Sequence, residues 1–413
     1  MRKMTLLFFV AFVTLEKSSF AQEGADRIKA LEEKVQMLMN QLGLDKEDSV
    51  ATPEQPKLPF NQKYEQKLEQ IKSKIPFEVS GSVDVYIQTN FIGNISNLVA
   101  NRVFVPKANS FELGMINLML KKRVKKVGFC ADLGFGPRAE AANNTLYSNT
   151  ILAIKQLYVT YAPTHWLEFT LGNFSTFFGY EYIEPQNNFN YSTSLAFQNG
   201  PFYHTGFKAN FTVKKWNFLA GFFDDTDHKS DSRRNKFVGA QVGYTNENGG
   251  VYLNFVGGNV PATYKINDST VAEVYRNYKN AYDLTGFITL GKKKNGKIGV
   301  NLAYHQFRYK EQKADTPQHN KYFTSYLYAQ YAISERASIG IRTGYLYNPD
   351  ALVIGSSKHF ADLTITAHIN ISGGLKLIPE YRLDYSSDRM FLDRKGGISR
   401  FQNTLCLAAV FAF

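Results

Sequence analysis

The sequence contains few cysteines. There are two in 413 residues, Cys130 and Cys406. Cysteines of an exported chain can pair in disulfides, but these two fall on predicted strands that should not be neighbours. We therefore expect both thiols to stay reduced, and the fold to be held together without a disulfide framework.

Long apolar runs are also scarce. The longest is a stretch of twelve residues from Met4 to Leu15, and the mean hydropathy of the chain is −0.29. A helix needs about 20 apolar residues to cross roughly 30 Å of hydrocarbon. No membrane-spanning helix is predicted, which excludes the helical class of membrane proteins.

Catalytic and metal-binding motifs are missing as well. The seven histidines are scattered, and neither His-x₃-His nor Cys-x₂-Cys spacing occurs. The sequence has no Gly-x-Ser-x-Gly elbow and no glycine-rich phosphate loop. We predict no catalytic residue, metal or cofactor. A barrel could still build a Ser/His/Asp set from distant strands, so lipid hydrolysis stays open as the least favoured alternative.

The N-terminus has the layout of a secretory signal peptide. Arg2 and Lys3 precede the apolar run, and Ser19-Phe20-Ala21 places small residues at −3 and −1 of a cut before Gln22. We therefore predict a signal peptide over 1–21. An exported chain without spanning helices can enter a membrane only as a closed barrel, because lipid-exposed backbone groups must all be paired.

Two segments are predicted to precede the barrel. Residues 22–42 carry a short heptad seam, with Ile28, Val35 and Leu42 at a and Leu31 and Leu38 at d. This predicts a short periplasmic helix, which is either an oligomerising coiled coil or an amphipathic helix without a partner. Residues 43–76 form a proline-containing linker and a charged lead-in.

From Phe77 to Phe413 the pattern is that of β-strands. The last strand places Phe401, Leu405 and Phe411 on one face and polar or small residues on the other. Fifteen further segments of this kind precede it. The gaps between successive segments alternate between long (10 to 30 residues) and short (1 to 6 residues). One of the long gaps, of 21 residues, is predicted between the segments 249–258 and 280–290. Short periplasmic turns and long outer loops are typical of transmembrane barrels, so we predict an all-β, antiparallel, up-and-down barrel of about 16 strands.

Several short motifs resemble one known family. They are Val79-Ser80-Gly81-Ser82-Val83-Asp84-Val85-Tyr86, Gly179-Tyr180-Glu181, Asn187, Asn190-Tyr191-Ser192 and His204-Thr205-Gly206. Together they resemble the OmpL-like β-barrel porins of Bacteroidota, over 77–413 and most closely over 155–224. Where that family often has Ser-Arg-Ser, this chain reads Ser192-Thr193-Ser194, so an anion contact is not carried over. The resemblance implies an outer-membrane channel but no particular substrate.

The loop 175–204 is the strongest candidate for a functional element, because long ordered loops are usually functional. We expect it to fold into the lumen as a constriction, and the alternative is that it packs over the rim. Its candidate residues are Tyr180, Glu181, Glu184, Tyr191 and His204. Charged residues in the inward phase of strands are further pore candidates: Asp84, Arg342, Lys376, Glu380, Arg382 and Asp384.

These observations favour a passive pore for small hydrophilic solutes or ions in the bacterial outer membrane. The alternative is a plugged barrel with a structural or adhesive role. The formal net charge is +12; in an exported chain this indicates lumen electrostatics or contact with lipopolysaccharide rather than nucleic acid. Other expected partners are outer-membrane lipid and the barrel assembly machinery, which would bind through Phe413. Further copies of the chain are also expected partners, in a homo-oligomer such as a trimer.

Overall fold

The computed structural model of the protein describes 77–91, 99–143, 149–232, 234–267, 270–309, 318–353, 357–392 and 397–413, together with Met37. The predicted signal peptide 1–21, the helix over 22–42 and the linker and lead-in 43–76 lie outside the described residues, Met37 excepted.

Within the described ranges eighteen strands are formed, because apolar and polar residues alternate through most of this part of the chain. They are β1 (Glu78–Asn90), β2 (Ser110–Val124), β3 (Val127–Phe135), β4 (Ile154–Tyr161), β5 (Leu167–Ser175), β6 (Tyr203–Val213), β7 (Trp216–Phe223), β8 (Phe237–Asn246), β9 (Gly249–Asn267), β10 (Thr270–Leu290), β11 (Gly296–Tyr309), β12 (Gln318–Ala332), β13 (Ala337–Tyr347), β14 (His359–Ser372), β15 (Leu375–Ser386), β16 (Phe391–Leu392), β17 (Ile398–Ser399) and β18 (Phe401–Ala412).

Sixteen of these strands close into one antiparallel barrel, which confirms the predicted fold class. Each pairs with its neighbours in chain order, and β18 closes the ring by pairing with β1 on one side and β15 on the other. The two-residue strands β16 and β17 form a separate small hairpin between β15 and β18. Closure leaves no unpaired strand edge in the barrel.

The two faces of the wall differ as the alternation predicts. On β18 the side chains of Leu405, Leu407 and Phe411 are exposed on the outer surface, whereas Thr404 and Cys406 are buried inside. Similar outward rows of Val, Ile, Leu, Phe and Tyr run around the barrel. Such an apolar band suits contact with lipid, and the polar inner face suits a water-filled or plugged lumen.

Connections at the two ends of the barrel differ in length. At the end that carries Phe413 they hold two to five residues, and at the other end most hold eight to 27. The predicted gap of 21 residues between segments 249–258 and 280–290 is wrong, because β9 and β10 extend through it to a connection at 268–269. The two strands continue to pair with each other past the point where their neighbours stop, so a long hairpin takes the place of a loop.

Short helices occur within the long connections, at Pro137–Ala142, Asn149–Leu152 and Leu195–Gln198, with a 3₁₀ turn at Pro185–Asn187. Across the described ranges, no helix has the length and apolar character needed to cross a membrane. Both cysteines are buried and free.

Candidate functional site

The connection between β5 and β6, residues 176–202, turns back into the barrel; we call it the lumen segment. The hydroxyl of its Tyr191 donates to Asp84 on β1 at 2.6 Å, and the N–H of its Gly179 donates to Asp283 on β10 at 3.2 Å. The two strands lie seven positions apart in the ring of sixteen. The lumen segment therefore crosses the barrel almost from wall to wall.

Glu380 holds the middle of the lumen segment through its backbone. One oxygen of the buried carboxylate accepts from the N–H of Tyr191 at 2.7 Å, and the other accepts from that of Ser192 at 3.0 Å. The hydroxyl of Thr366 donates to the same carboxylate at 2.8 Å. Hydrogen bonds to a charged acceptor are stronger than neutral ones, so Glu380 fixes this turn against β15.

Arg342 and its partners tie the lumen segment to β13 and β14. Its guanidinium donates to Glu181 at 2.8 Å and to Thr364 at 3.0 Å, and lies 3.5 Å from Asp362. The arginine has no exposed surface. A buried charge must be paired to be tolerated, so Glu181 is a structural counter-ion here as well as a lumen carboxylate.

A second arginine extends this network along β15. Arg382 donates to the carbonyl of Thr193 at 2.6 Å and to Asp384 at 2.9 Å. Arg102, from the connection before β2, pairs with the same Asp384 at 2.5 Å. Three arginines thus face four carboxylates from the wall and the lumen segment: Glu181, Asp362, Glu380 and Asp384. The buried charge is close to balanced.

On the opposite side Lys155 of β4 bridges the wall and the lumen segment. Its amine lies 3.1 Å from Asp132 of β3 and also pairs with Glu184. Arg138, from the helix after β3, lies over the ring of Tyr191 at 4.8 Å and 3.6 Å from Asp84. The lumen segment is therefore anchored on both sides by ion pairs.

Two aromatic side chains of the lumen segment lie against glycines of the wall. Tyr180 stacks on Tyr328 with centroids 4.3 Å apart, and Phe189 stacks on His368 at 4.6 Å. A Cβ at Gly299 would overlap the Tyr180 ring, and one at Gly340 would overlap Phe189. These inward glycines provide the space that the two rings occupy.

Burial suppresses ionisation of Tyr180 and Tyr191 in this segment. It raises the pKa of Tyr180 to about 12 and holds that of Tyr191 well above its usual value, where the neighbouring Asp84 also acts. Both hydroxyls are therefore neutral at physiological pH, and Tyr191 can act as the donor to Asp84.

Ten of the eleven predicted pore residues take identifiable positions in or beside this network. Tyr180, Glu181, Glu184 and Tyr191 lie on the lumen segment, and Asp84, Arg342, Glu380, Arg382 and Asp384 lie on the wall that it contacts. His204 was assigned to the loop, but it lies on β6, where its ring packs against Phe177 and Phe223. The eleventh, Lys376, is half-buried near the other end of β15 and makes no ion pair within the described residues.

Arg102, Arg138 and Lys155 were not singled out from the sequence. Lys155 follows the inward phase of β4 and could have been found from that phase. The two arginines lie on connections, where no periodicity indicates the direction of a side chain. Asp132 and Asp362 also follow the inward phase of their strands, β3 and β14, but periodicity does not indicate their partners.

Two cavities flank the lumen segment along one side of the wall. The larger, of about 490 Å³, is lined by the lumen segment together with Asn254, Thr285 and Lys297. The second, of about 240 Å³, is lined by Val256, Ala281 and His305. Asp283 lies between them on the inner face of β10. Among the described residues no cluster of His, Cys, Asp and Glu could hold a metal ion.

The connection 224–236 holds the end of the lumen segment by hydrogen bonds. Oδ1 of Asp227 accepts from the N–H of Phe202 at 2.7 Å and from that of Tyr203 at 3.2 Å. Burial raises the pKa of Asp227 to about 6, against the opposing effect of Lys279. A carboxyl whose pKa is raised on folding stabilises the folded state less as pH rises from about 4 to about 6.

We therefore expect Asp227→Asn to stabilise the protein at neutral pH. Asparagine keeps an Oδ1 acceptor for both N–H groups, tolerates the left-handed backbone found here (φ 61°), and removes the buried charge. Between pH 4.5 and pH 7.5, the free energy of unfolding of the wild type should fall by about 2 kcal/mol relative to that of this variant. Denaturant unfolding at both pH values measures the difference. Equal differences at the two pH values would show that Asp227 does not titrate in this range.

Comparisons with known proteins agree with this architecture. The family described as "Putative beta-barrel porin-2, OmpL-like" matches residues 76–413. No curated protein matches the chain.

Solved structures of similar fold include three outer-membrane proteins. The trimer form of OmpT of Vibrio cholerae is 10% identical with a TM-score of 0.53, and covers 82% of this chain and 99% of its own. The outer-membrane channel DcaP of Acinetobacter baumannii is 12% identical with a TM-score of 0.53, covering 82% and 97%. An anion-selective porin from Comamonas acidovorans is 12% identical with a TM-score of 0.50, covering 82% and 99%. At these identities the likeness concerns the fold. From the family match over its whole barrel, the chain belongs to the OmpL-like β-barrel porins, and it is an outer-membrane channel for solute diffusion.

Proposed function

We propose that this channel is narrow, that the lumen segment is its constriction, and that small hydrophilic solutes or ions pass along the wall formed by β8 to β12. The observation that carries this proposal is the pair of cavities on the two sides of the lumen segment. Both are lined by inward residues of β9 and β10. Thr285 lines one and Ala281 the other, and these are the inward neighbours of Asp283 along β10. The other side of the lumen is filled by the buried ion-pair network.

Among the carboxylates Asp283, Glu181 and Glu184, Asp283 is the one held by neutral groups alone, while Lys297 lines one cavity and Lys279 the other. Glu181 faces Arg342 and Glu184 faces Lys155, so each of these carboxylates is balanced by a cation. Asp283 is held by neutral donors: the N–H of Gly179, the side-chain amides of Asn254 and Asn301, and the hydroxyl of Thr285. A carboxylate at a narrow point favours cations, and we infer a weak cation preference at the level of Asp283, which Lys279 and Lys297 oppose in the two cavities.

Cysteine modification tests the location of the path. In a background with Cys130→Ser and Cys406→Ala, we expect Ala281→Cys and Thr285→Cys to react with a water-soluble thiol reagent. The conductance should then fall by at least half, because each side chain lines one of the two cavities. The readout is single-channel current in planar bilayers before and after modification.

Ala408→Cys is the matched control. Ala408 is an inward alanine on β18 with no exposed surface, on the filled side of the lumen. Its modification should leave the current unchanged. If positions 281 and 285 are as inert as position 408, solutes take another route. If the wild type carries no current at all, the alternative of a plugged structural or adhesive barrel is favoured.

We also infer the partners that an outer-membrane barrel of this kind requires. The C-terminal strand ends in Phe413, whose ring lies over Gly81 of β1 while their backbones exchange hydrogen bonds of 3.0 and 3.1 Å. This seam and its aromatic end support recognition by the barrel assembly machinery. The apolar outer band supports contact with outer-membrane lipid and lipopolysaccharide, and the heptads of 22–42 support a periplasmic helix that assembles a homo-oligomer.

A further inference from the structure

A concave apolar groove lies on the outer wall of the barrel, next to the short connections. Its floor is formed by Gly296 of β11 and Ala329 of β12. Large apolar side chains surround the floor, each 40% to 52% exposed: Leu290, Ile298, Tyr331, Ile339, Ile341 and Ile365. The groove has a volume of about 620 Å³, which is within the usual range for ligand sites.

The strand register explains the depression. Gly296 pairs with Leu290 on one side and Tyr331 on the other. In the next row of the same face, Ala329 pairs with Ile298 and with Ile341. Small residues thus lie between large ones in two successive rows, and the wall is indented at this point.

Basic residues lie on the connection 291–295 at one end of the groove, where Gly291 and Asn295 of the same connection line it. The connection 291–295 contributes Lys292, Lys293 and Lys294, all of them exposed. The amine of Lys294 donates to the carbonyl of Glu247 at 2.9 Å and is directed toward the neighbouring connection. Across the groove, the connection 333–336 contributes Arg336 and Glu335. The two connections together carry four cations and one carboxylate.

We propose that this groove is a binding site for an anionic phospholipid of the periplasmic leaflet. An acyl chain would lie on Gly296 and Ala329, and the headgroup phosphate would lie against Lys292 and Lys293. Short connections of outer-membrane barrels face the periplasm, so the groove opens at the depth of that leaflet. Clustered lysines at a membrane surface attract anionic headgroups with about 1 kcal/mol per residue.

Charge complementarity distinguishes this occupant from a second copy of the chain. A neighbouring barrel with the same basic connection would bring lysines toward lysines, unless its contact surface were different. A phospholipid instead supplies both an apolar chain for the groove and a negative charge for its basic end. Contact between two copies through this end of the groove would therefore be electrostatically unfavourable.

The test is native mass spectrometry of the full-length barrel, purified in detergent and incubated with phosphatidylglycerol or phosphatidylethanolamine of identical acyl chains. Two variants address the site: Lys292→Gln with Lys293→Gln, and Ala329→Phe, which fills the floor from the lipid side. Two matched control variants carry the same kinds of substitution away from the groove. They are Lys125→Gln with Lys126→Gln on the connection after β2, and Ala220→Phe at an outward alanine of β7.

The wild type should retain phosphatidylglycerol in preference to phosphatidylethanolamine. In the variant with Lys292→Gln and Lys293→Gln, retention of phosphatidylglycerol should fall by about fivefold per lysine replaced. Ala329→Phe should reduce this retention too. The two matched variants should retain as much as the wild type. Equal retention of both lipids, or equal losses in the matched variants, would show unspecific surrounding lipid and overturn the proposal. Dissociation of an oligomer by Ala329→Phe, with lipid retention unchanged, would assign the groove to contact between copies. Heat-modified migration on gels verifies that each variant is folded.

Discussion

Replacing residues 180–200 by a short Gly-Ser linker should raise the single-channel conductance severalfold. The lumen segment crosses the barrel from Asp84 on β1 to Asp283 on β10, and most of its side chains are buried inside the wall. Barrels of 16 strands enclose a channel wide enough for water. Removing the segment while keeping Gly179 and Pro201 should open that bore, measured in planar bilayers at fixed salt.

The β9–β10 hairpin offers a control of similar size. Residues 262–265 of β9 pair with 271–274 of β10, beyond the part of the barrel where β8 and β11 are paired with them. Deleting 262–275 should therefore leave the conductance close to that of the wild type. An unchanged conductance after removal of 180–200 would show that the lumen segment does not narrow the path.

Arg342→Met should release the lumen segment without deleting it. The arginine has no exposed surface and lies against Glu181 and Asp362. Its loss leaves the buried carboxylate of Glu181 without this cation, whereas Asp362 keeps Arg382 at 3.7 Å. Breaking such a pair costs about 3–5 kcal/mol. We expect a larger, noisier single-channel current and a shift of the reversal potential toward cations, because one positive charge is removed from the lumen.

The double variant Arg342→Met with Glu181→Gln should recover part of the wild-type behaviour, since it removes the carboxylate that was left unpaired. Arg123→Met is the matched control. Arg123 also pairs with a glutamate at 2.8 Å, but both side chains are partly exposed, and such pairs contribute about 0–1 kcal/mol. Equal effects of Arg342→Met and Arg123→Met would contradict a special role of the buried network.

The barrel could be predicted because lipid imposes a period of two on the sequence. Phe401, Leu405 and Phe411 face outward while Thr404 and Cys406 face inward, and the same alternation marks most of the other strands. The extension of β9 and β10 was missed because residues 259–279 contain Pro261 and the run Asn267-Asp268-Ser269, which usually indicate a loop.

The site was predictable in part. The inward phase identified Asp84, Arg342 and Glu380 on strands that are far apart in sequence, but periodicity does not indicate which inward charges meet. Those pairings depend on the path of the lumen segment, which is set by contacts such as that of Glu380 with two N–H groups. The inward glycines Gly299 and Gly340 carried a usable signal, since glycine within a strand often marks a close approach of other atoms.

We propose that solutes pass beside a lumen segment that narrows the barrel. The decisive measurement is single-channel recording of the unmodified protein with neutral polymers of graded size. We expect discrete current steps that are smaller than those of the variant lacking 180–200, and a smaller polymer cut-off. If the wild type shows no current steps while the shortened variant conducts, the lumen segment is a closed plug. If the current steps and the polymer cut-off of the wild type equal those of the variant, the segment leaves the path free. Either result would contradict a conducting channel that the lumen segment narrows.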